Sequence, residues 1–239
     1  MKKLESGAKK LGLELNEAQL EQFQVYYQEL IDWNRRLNLT AVTGYGEVQL
    51  KHFLDSITVA MVIKQPVVGE GFRLIDVGTG AGLPGIPLKI LLPGLKLVLL
   101  DSTAKKAAFL HHLVLKLGLD DVEIVVGRSE EVAQQAQYRE RFDMVVSRAV
   151  ANLAVLVELT LPFCAVGGSF IAQKKGDIDL EIGQAARAIG LLGGNLREVK
   201  RVDLEGIAGG HCLVIIDKIS PTPSRYPRRP GIPSKRPLL

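Results

Sequence analysis

The chain has few of the residues that build metal centres, disulfide frameworks or membrane spans. Its 239 residues include two cysteines and four histidines. Cys164 and Cys212 stand far apart without metal-ligand spacing, so both are expected to be buried, reduced thiols of a cytosolic protein. His52, His111, His112 and His211 form no ligand pattern, so no metal is expected. A mean hydropathy of +0.16 is slightly positive. Yet no uninterrupted apolar run nears the roughly 18 residues a bilayer span needs, and Pro93-Gly94 breaks the richest stretch. The opening Met1-Lys-Lys-Leu-Glu-Ser-Gly-Ala-Lys-Lys10 is basic but has no apolar core, which argues against an export signal. Hydrophobic residues make up 47% of the chain against 23% charged, enough for one full α/β domain with an appendage.

The most informative stretch is Phe72-Arg-Leu-Ile-Asp-Val-Gly-Thr-Gly-Ala-Gly-Leu-Pro-Gly85. A short apolar strand reaches Asp76 and opens into glycines at 78, 80, 82 and 85, more than a structural turn requires. Only glycine lets a backbone turn this tightly while coming close to a ligand. Two cofactors fit. Gly80-x-Gly82-x-x-Gly85 satisfies the dinucleotide fingerprint of a nicotinamide-dependent oxidoreductase. Counted from Asp76, the same run is the acid-x-Gly-x-Gly-x-Gly loop of S-adenosylmethionine-dependent methyltransferases. A pyrophosphate needs free N–H groups at a helix start, and Pro84 and Pro87 remove two of them. A sulfonium tolerates or favours a nearby carboxylate such as Asp76.

Later segments favour the methyl donor. Lys96–Asp101 reads as a second strand whose terminal Asp101 can accept hydrogen bonds from ribose hydroxyls, a feature both cofactors require. Val122–Val126 is a third strand, followed by Ser129, Glu130 and Glu131, which can meet an adenine edge. Phe142–Arg148 is a fourth, and a turn at Gly167-Gly168 accompanies a fifth that ends near Lys174. A helix is expected at Asp177–Leu192, then strands at Leu196–Val202 and His211–Asp217 joined by a glycine-rich connection at 205–210. In this order the segments resemble the class I methyltransferase domain: a Rossmann-like, mostly parallel seven-stranded sheet, helices on both faces, the last strand antiparallel.

Residues 1–66 form the appendage, a helical extension on a core spanning 67–218. Asn16 with Gln19 makes a capping-box start. Leu20, Phe23, Tyr27, Leu30, Asn34 and Leu37 follow as an amphipathic stripe, suited to packing on the core or to a partner. After a break at Asn38–Gly44 a second helix begins near Glu47, placing His52, Asp55 and Ser56 on one face. They can line a pocket or cap local backbone. The tail, 219–239, is basic and proline-rich: residues 218–239 hold Lys218, Arg225, Arg228, Arg229, Lys235 and Arg236, six prolines and no acid. It reads as an extended arm along a phosphate backbone with Tyr226 free to stack on a base. A solvated disordered tail, or one packed on the domain, are the other readings.

Trp33-Asn…Asn38-Leu-Thr, His52-Phe-Leu-Asp55-Ser56, Asp76-Val-Gly-Thr-Gly-Ala-Gly-Leu-Pro-Gly-Ile-Pro, Leu100-Asp-Ser, Val146-Ser-Arg148-Ala and the tail from Tyr226 together resemble the glucose-inhibited division protein B family over residues 16–239. The resemblance implies a cytoplasmic S-adenosyl-L-methionine-dependent methyltransferase acting on a guanine N7 atom of 16S ribosomal RNA in the small ribosomal subunit. It carries over Gly78, Leu83, Ser129, Glu130 and Arg148 as cofactor contacts. Chemistry adds Gly80 from the loop, with Asp101 and Thr103. Arg225, Arg228, Arg229, Lys235 and Arg236 are the expected RNA contacts, and a monomer is expected.

Guanine N7 bears no proton, so its methylation needs positioning and electrostatics, not a general base. The chain has no Asn-Pro-Pro-Tyr-type motif, and Cys164 is a poor nucleophile candidate. Arg148 can hold the methionine carboxylate or steady the guanine O6; otherwise it pairs with Glu131 or Asp143. A non-catalytic RNA-binding assembly factor on the same scaffold is the remaining alternative.

Overall fold

The computed structural model describes residues 1–63, 71–148, 151–203 and 210–239. The glycine-rich connection at 205–210, apart from Gly210, Ala149 of the Val146–Ala149 motif and the expected boundary at 66/67 lie outside the described residues. Among the described residues, runs without Pro, most of them apolar and β-branched, give seven strands. These are β1 (Arg73–Val77), β2 (Lys96–Asp101), β3 (Val122–Val126), β4 (Phe142–Arg148), β5 (Cys164–Lys175), β6 (Gly194–Val202) and β7 (His211–Lys218). They form one sheet in the order β3-β2-β1-β4-β5-β7-β6. Strands β1 to β5 pair in parallel, while β7 runs antiparallel to both β5 and β6. The strand order reverses between β1 and β4, so the crevice for a ligand opens at the carboxyl ends of these strands. This is the mostly parallel sheet with a terminal antiparallel strand that the sequence implies.

Among the described residues the α-helical segments that cover it are α1 (Lys2–Lys10), α2 (Glu17–Leu37), α3 (Tyr45–Val48), α4 (Asp55–Ile57), α5 (Gly85–Leu91), α6 (Ala104–Leu117), α7 (Ser129–Val132), α8 (Leu153–Thr160), α9 (Asp179–Leu191) and α10 (Ile232–Lys235). A π-turn at Gln49–Leu54 joins α3 to α4. Alternate strand residues point to opposite faces. Leu74, Leu97, Leu99, Met144 and Val146 therefore join the core beneath α2, α5 and α6. Ile75, Val77, Val98, Leu100 and Val145 join the core beneath α8 and α9. Both cysteines are buried and free. Burial pushes the Cys164 thiol up to about 12, which leaves it inert at neutral pH. No helix among the described residues is long and apolar enough to cross a membrane.

The capping box at Asn16 and Gln19 forms as expected. The buried stripe of α2 differs from the expected one: it is Gln19, Phe23, Tyr26 and Leu30. Tyr27 is only half-buried, packing edge-on to Tyr45, while Phe23 and Tyr26 each set their rings 5.0 Å from Phe53. Specific polar contacts choose this face. The Tyr26 hydroxyl donates to the Ala81 carbonyl at 2.5 Å, and Gln19 Nε2 donates to the Ile90 and Leu91 carbonyls at the end of α5. Apolar spacing alone does not separate Tyr26 from Tyr27. Helix α1 is not among the elements the sequence predicts. It exists because Leu4 and Ala8 are buried and the Gln49 side chain accepts from the Lys3 and Leu4 N–H groups.

The tail is neither an extended arm nor a solvated coil. Tyr226 is buried, Arg228 pairs with the fully buried Glu158, and Ile232–Lys235 is helical. Six prolines do not prevent α10, because Pro233 falls in its first turn, where no intrahelical N–H bond is forfeited.

Candidate functional site

The glycine loop is held from below by a buried carboxylate. Asp76 Oδ2 accepts from Thr79 Oγ1 at 2.7 Å and from the Gly85 N–H at 2.8 Å, so one acid fixes both ends of the turn. From the other side, the Gly78 and Thr79 N–H groups donate to the Leu100 carbonyl, and the Gly80 N–H to Asp101 Oδ2. The four glycines divide by role. A Cβ on Gly82 or Gly85 would strike Ile86 Cδ1 at 2.6 Å or Leu99 Cδ2 at 2.7 Å, so these two let helix and strand approach closely. At Gly78, whose φ is +74°, a Cβ would meet nothing within 4 Å. Its open side is the crevice, and that is the fit expected of a cofactor laid against the backbone.

The same geometry weighs on the dinucleotide reading. Pro84 and Pro87 have no N–H, the Gly85 N–H goes to Asp76, and the Ile86 N–H goes to the Gly82 carbonyl. The start of α5 thus keeps no amide from Pro84 to Pro87 for a pyrophosphate.

A cavity of about 230 Å³ runs along the carboxyl ends of β1, β2 and β3. Of the residues expected at a cofactor, Gly78, Asp101, Ser129 and Glu130 line it, with Ser147, Gly231 and Ser234 added from β4 and the tail. Gly80, Leu83, Thr103 and Arg148 are not in its wall. Leu83 is buried under the loop, and the Thr103 N–H donates to Asp101 Oδ1 at 2.9 Å. Asp101 is therefore a junction: its oxygens hold Gly80, Thr103 and, at 3.3 Å, Lys106. The Ser129 hydroxyl donates to the Leu159 carbonyl, and Glu130 Oε1 accepts from the Gly231 N–H.

Arg148 lies at the end of β4 and faces the N-terminal helical segment. Its Nη1 stands 3.4 Å from the Lys51 carbonyl, 3.5 Å from His52 Nδ1 and 3.7 Å from Asp55 Oδ2. Its partners thus differ from the expected Glu131 or Asp143; Asp143 instead accepts from the Arg73 N–H. The triplet His52, Asp55 and Ser56 splits. The Ser56 hydroxyl caps the His52 carbonyl, whereas His52 and Asp55 meet Arg148. His52 Nε2 bonds Thr40 Oγ1, and Asp55 Oδ1 bonds His211 Nδ1, both at 2.7 Å. Burial first, then the Arg148 charge, pushes the His52 imidazole down to about 4, so it is uncharged at neutral pH. Among the described residues no cluster suited to a metal ion is present.

Burial lifts the Asp76 carboxyl to about 6, against hydrogen bonds from Thr79 and Gly85 that favour the ionised form. The folded state then holds a proton on Asp76 between about pH 4 and 6 that the unfolded state releases. This group alone therefore lowers stability as pH rises through that window, by about 3 kcal/mol in full. His52 acts oppositely: lowered in the folded state, it lowers stability as pH falls below 6.5. Asp76→Asn should lose the first effect and keep the second. Its urea midpoint should drop more steeply than wild type from pH 6.5 to 4.5, and parallel midpoint–pH curves would refute the assignment.

Of the expected RNA contacts, Arg225, Arg229, Lys235 and Arg236 are exposed. Arg228 is not available to a phosphate: its guanidinium forks onto Glu158 at 2.6 and 2.8 Å. Lys218 is fully buried and pairs with Glu140 at 3.2 Å. Two of the six cations of residues 218–239 are thus paired within the chain, each with a carboxylate from a distant segment.

Residues 19–205 match the family described as GidB, rRNA small subunit methyltransferase G. A ribosomal RNA small subunit methyltransferase G of Dehalococcoides mccartyi (strain CBDB1) is 52% identical over 239 residues, with 100% of each chain covered. One from Alkaliphilus metalliredigens (strain QYMF) is 47% identical, covering 98% of this chain and 97% of its own. Among solved structures, geranyl diphosphate C-methyltransferase from Streptomyces coelicolor A3(2) is similar with a TM-score of 0.53 at 13% identity, covering 81% of this chain and 98% of that one. Precorrin-6y C5,15-methyltransferase from Geobacter metallireducens GS-15 has a TM-score of 0.50 at 15% identity, covering 70% and 88%. At such identities the likeness is one of fold.

Proposed function

Because the chain belongs to the rRNA small subunit methyltransferase G family, we propose that it methylates a guanine N7 atom of 16S ribosomal RNA, using S-adenosylmethionine. The observation that carries the reading is the open face of Gly78 beside Asp101 and Glu130, in one cavity at the strand-order reversal. Bound there, S-adenosylmethionine supplies an electrophilic methyl group. Gly78, Gly80 and Leu83 shape the loop under it, Asp101 takes the ribose with Thr103 held beside it, and Ser129 and Glu130 face the purine. Arg148, set by His52 and Asp55, orients the cofactor carboxylate or the guanine O6. N7 carries no proton, and the site needs no base for it: Asp76 is fully buried beneath the loop, and both His52 ring nitrogens are engaged.

In this reading residues 67–218 are the methyltransferase core, 1–66 the helical extension that braces the loop through Tyr26, and 219–239 a basic tail. The protein acts as a monomer in the cytoplasm, on 16S RNA or the small subunit. Mass mapping of 16S RNA from cells with and without the protein tests the whole reading. One guanine should lose 14 Da in its absence; an unchanged map removes the proposal.

The roles of single residues are testable in turn. Asp101→Ala should weaken S-adenosylhomocysteine binding by roughly 1.5–3 kcal/mol, the scale of hydrogen bonds to a charged group. Titration calorimetry checks it, and RNA affinity without cofactor should hold; a fall in RNA affinity instead would mean that Asp101 serves another role. Replacing Arg225, Arg229, Lys235 and Arg236 together by alanine should weaken RNA binding and flatten its log–log salt dependence. The slope should fall by about 0.7–0.9 for each phosphate left unneutralised. An unaltered slope would sink the assignment of these four as RNA-binding residues.

A further inference from the structure

The family match ends at residue 205, yet the cavity is completed by residues beyond it. The proline-rich segment is bound to the core along its length. Lys218 Nζ reaches the Leu161 and Leu192 carbonyls and Thr222 Oγ1. The Arg139 guanidinium donates to the Thr222 and Tyr226 carbonyls, each at 2.9 Å. Gln134 Nε2 donates to the Pro227 carbonyl, and Arg228 grips Glu158 on α8. These ties carry the chain back across α8 to the cavity, where Gly231 and Ser234 enter its wall. There the Gly231 N–H donates to Glu130 Oε1 at 2.9 Å.

Such pockets enclose most of a ligand's surface, and here Gly231 and Ser234 add to a wall otherwise made by the ends of the strands and by Ser129, Glu130, Leu156 and Leu159 of α7 and α8. The acid after the second strand marks the ribose position, and Gly127–Glu130 at the next strand out marks the purine beyond it. We propose that residues 219–239 are the closing wall of the S-adenosylmethionine pocket at its adenosine end, with Gly231 and Ser234 against the nucleoside. This inference rests on the function proposed above. It gives a specific use to the Arg228–Glu158 pair: the pair seats a binding wall. Cofactor retention then depends on a segment whose sequence reads as a tail.

S-adenosylhomocysteine is the probe, on the full chain. Tail cleavage by trypsin is followed by mass spectrometry after Arg225, Arg228 and Lys235, since Arg229 and Arg236 precede proline and resist cutting. Cleavage after Lys9, in α1, is the reference. Saturating ligand should slow tail cleavage at least tenfold and the reference much less. Ser234→Tyr, which places a ring in the cavity, should raise the S-adenosylhomocysteine Kd at least tenfold while the ligand-free Tm stays within about 2 °C of wild type. Equal tail cleavage with and without ligand, or an S234Y affinity within twofold of wild type, overturns the wall. Failure of wild type to bind S-adenosylhomocysteine at all removes the function reading and the wall together.

Discussion

Gly78→Val should lose S-adenosylhomocysteine binding by more than about 100-fold, or beyond about 2.7 kcal/mol. Two causes act together. The valine branches occupy the open side that a Cβ at Gly78 would face, where nothing lies within 4 Å, and so fill space the cofactor requires. A β-branched residue at φ of +74° is also strained, by about 1–3 kcal/mol, and will shift the loop held by Leu100 and Asp101. The fold should survive, because the site lies at the sheet end and the strained residue meets no core atom. Circular dichroism with titration calorimetry measures both, and a folded variant of unchanged affinity would withdraw the cofactor site.

Arg228→Met should destabilise the protein by roughly 3 kcal/mol, since it leaves a fully buried Glu158 carboxylate without its cation. For a chain of this size the Tm should fall by roughly 6–12 °C. Arg229→Met, one residue along and exposed, should change stability by less than about 0.5 kcal/mol. Thermal unfolding of the two variants side by side makes the test; equal, small shifts would mean that the Arg228–Glu158 pair does not hold the tail. The comparison also separates a structural cation from an RNA-facing one within a single dipeptide.

That dipeptide shows where sequence reading stops. Arg228 and Arg229 are identical by charge, neighbourhood and composition. What distinguishes them is Glu158, 70 residues earlier in the chain. The tail therefore reads as a phosphate-binding arm, although Tyr226 and the neighbouring Lys218 are buried and Gly231 and Ser234 line the cavity. Likewise the helical period of α2 fits both Tyr26 and Tyr27, and only the Ala81 carbonyl chooses between them. Arg148 is legible as a strand-end residue, but its partners on the π-turn are not, since a π-turn has no simple residue signature. Helix α1 is equally hidden, because the Gln49 side chain that holds its first turn lies 45 residues from Leu4.

By itself the sequence determined the strand order of chemistry: apolar runs of the right length, glycines where the backbone turns toward a ligand, and Asp101 where a second parallel strand ends. Those signals are local, set by allowed φ/ψ and by the two-residue and 3.6-residue periods, and they survive without knowledge of neighbours. Only the tertiary structure decided which cations are neutralised, which tyrosine braces the glycine loop and which distant residues line the cavity. Each of these is a long-range pairing whose free energy depends on burial and on a partner's position, and neither quantity is written in the adjacent residues.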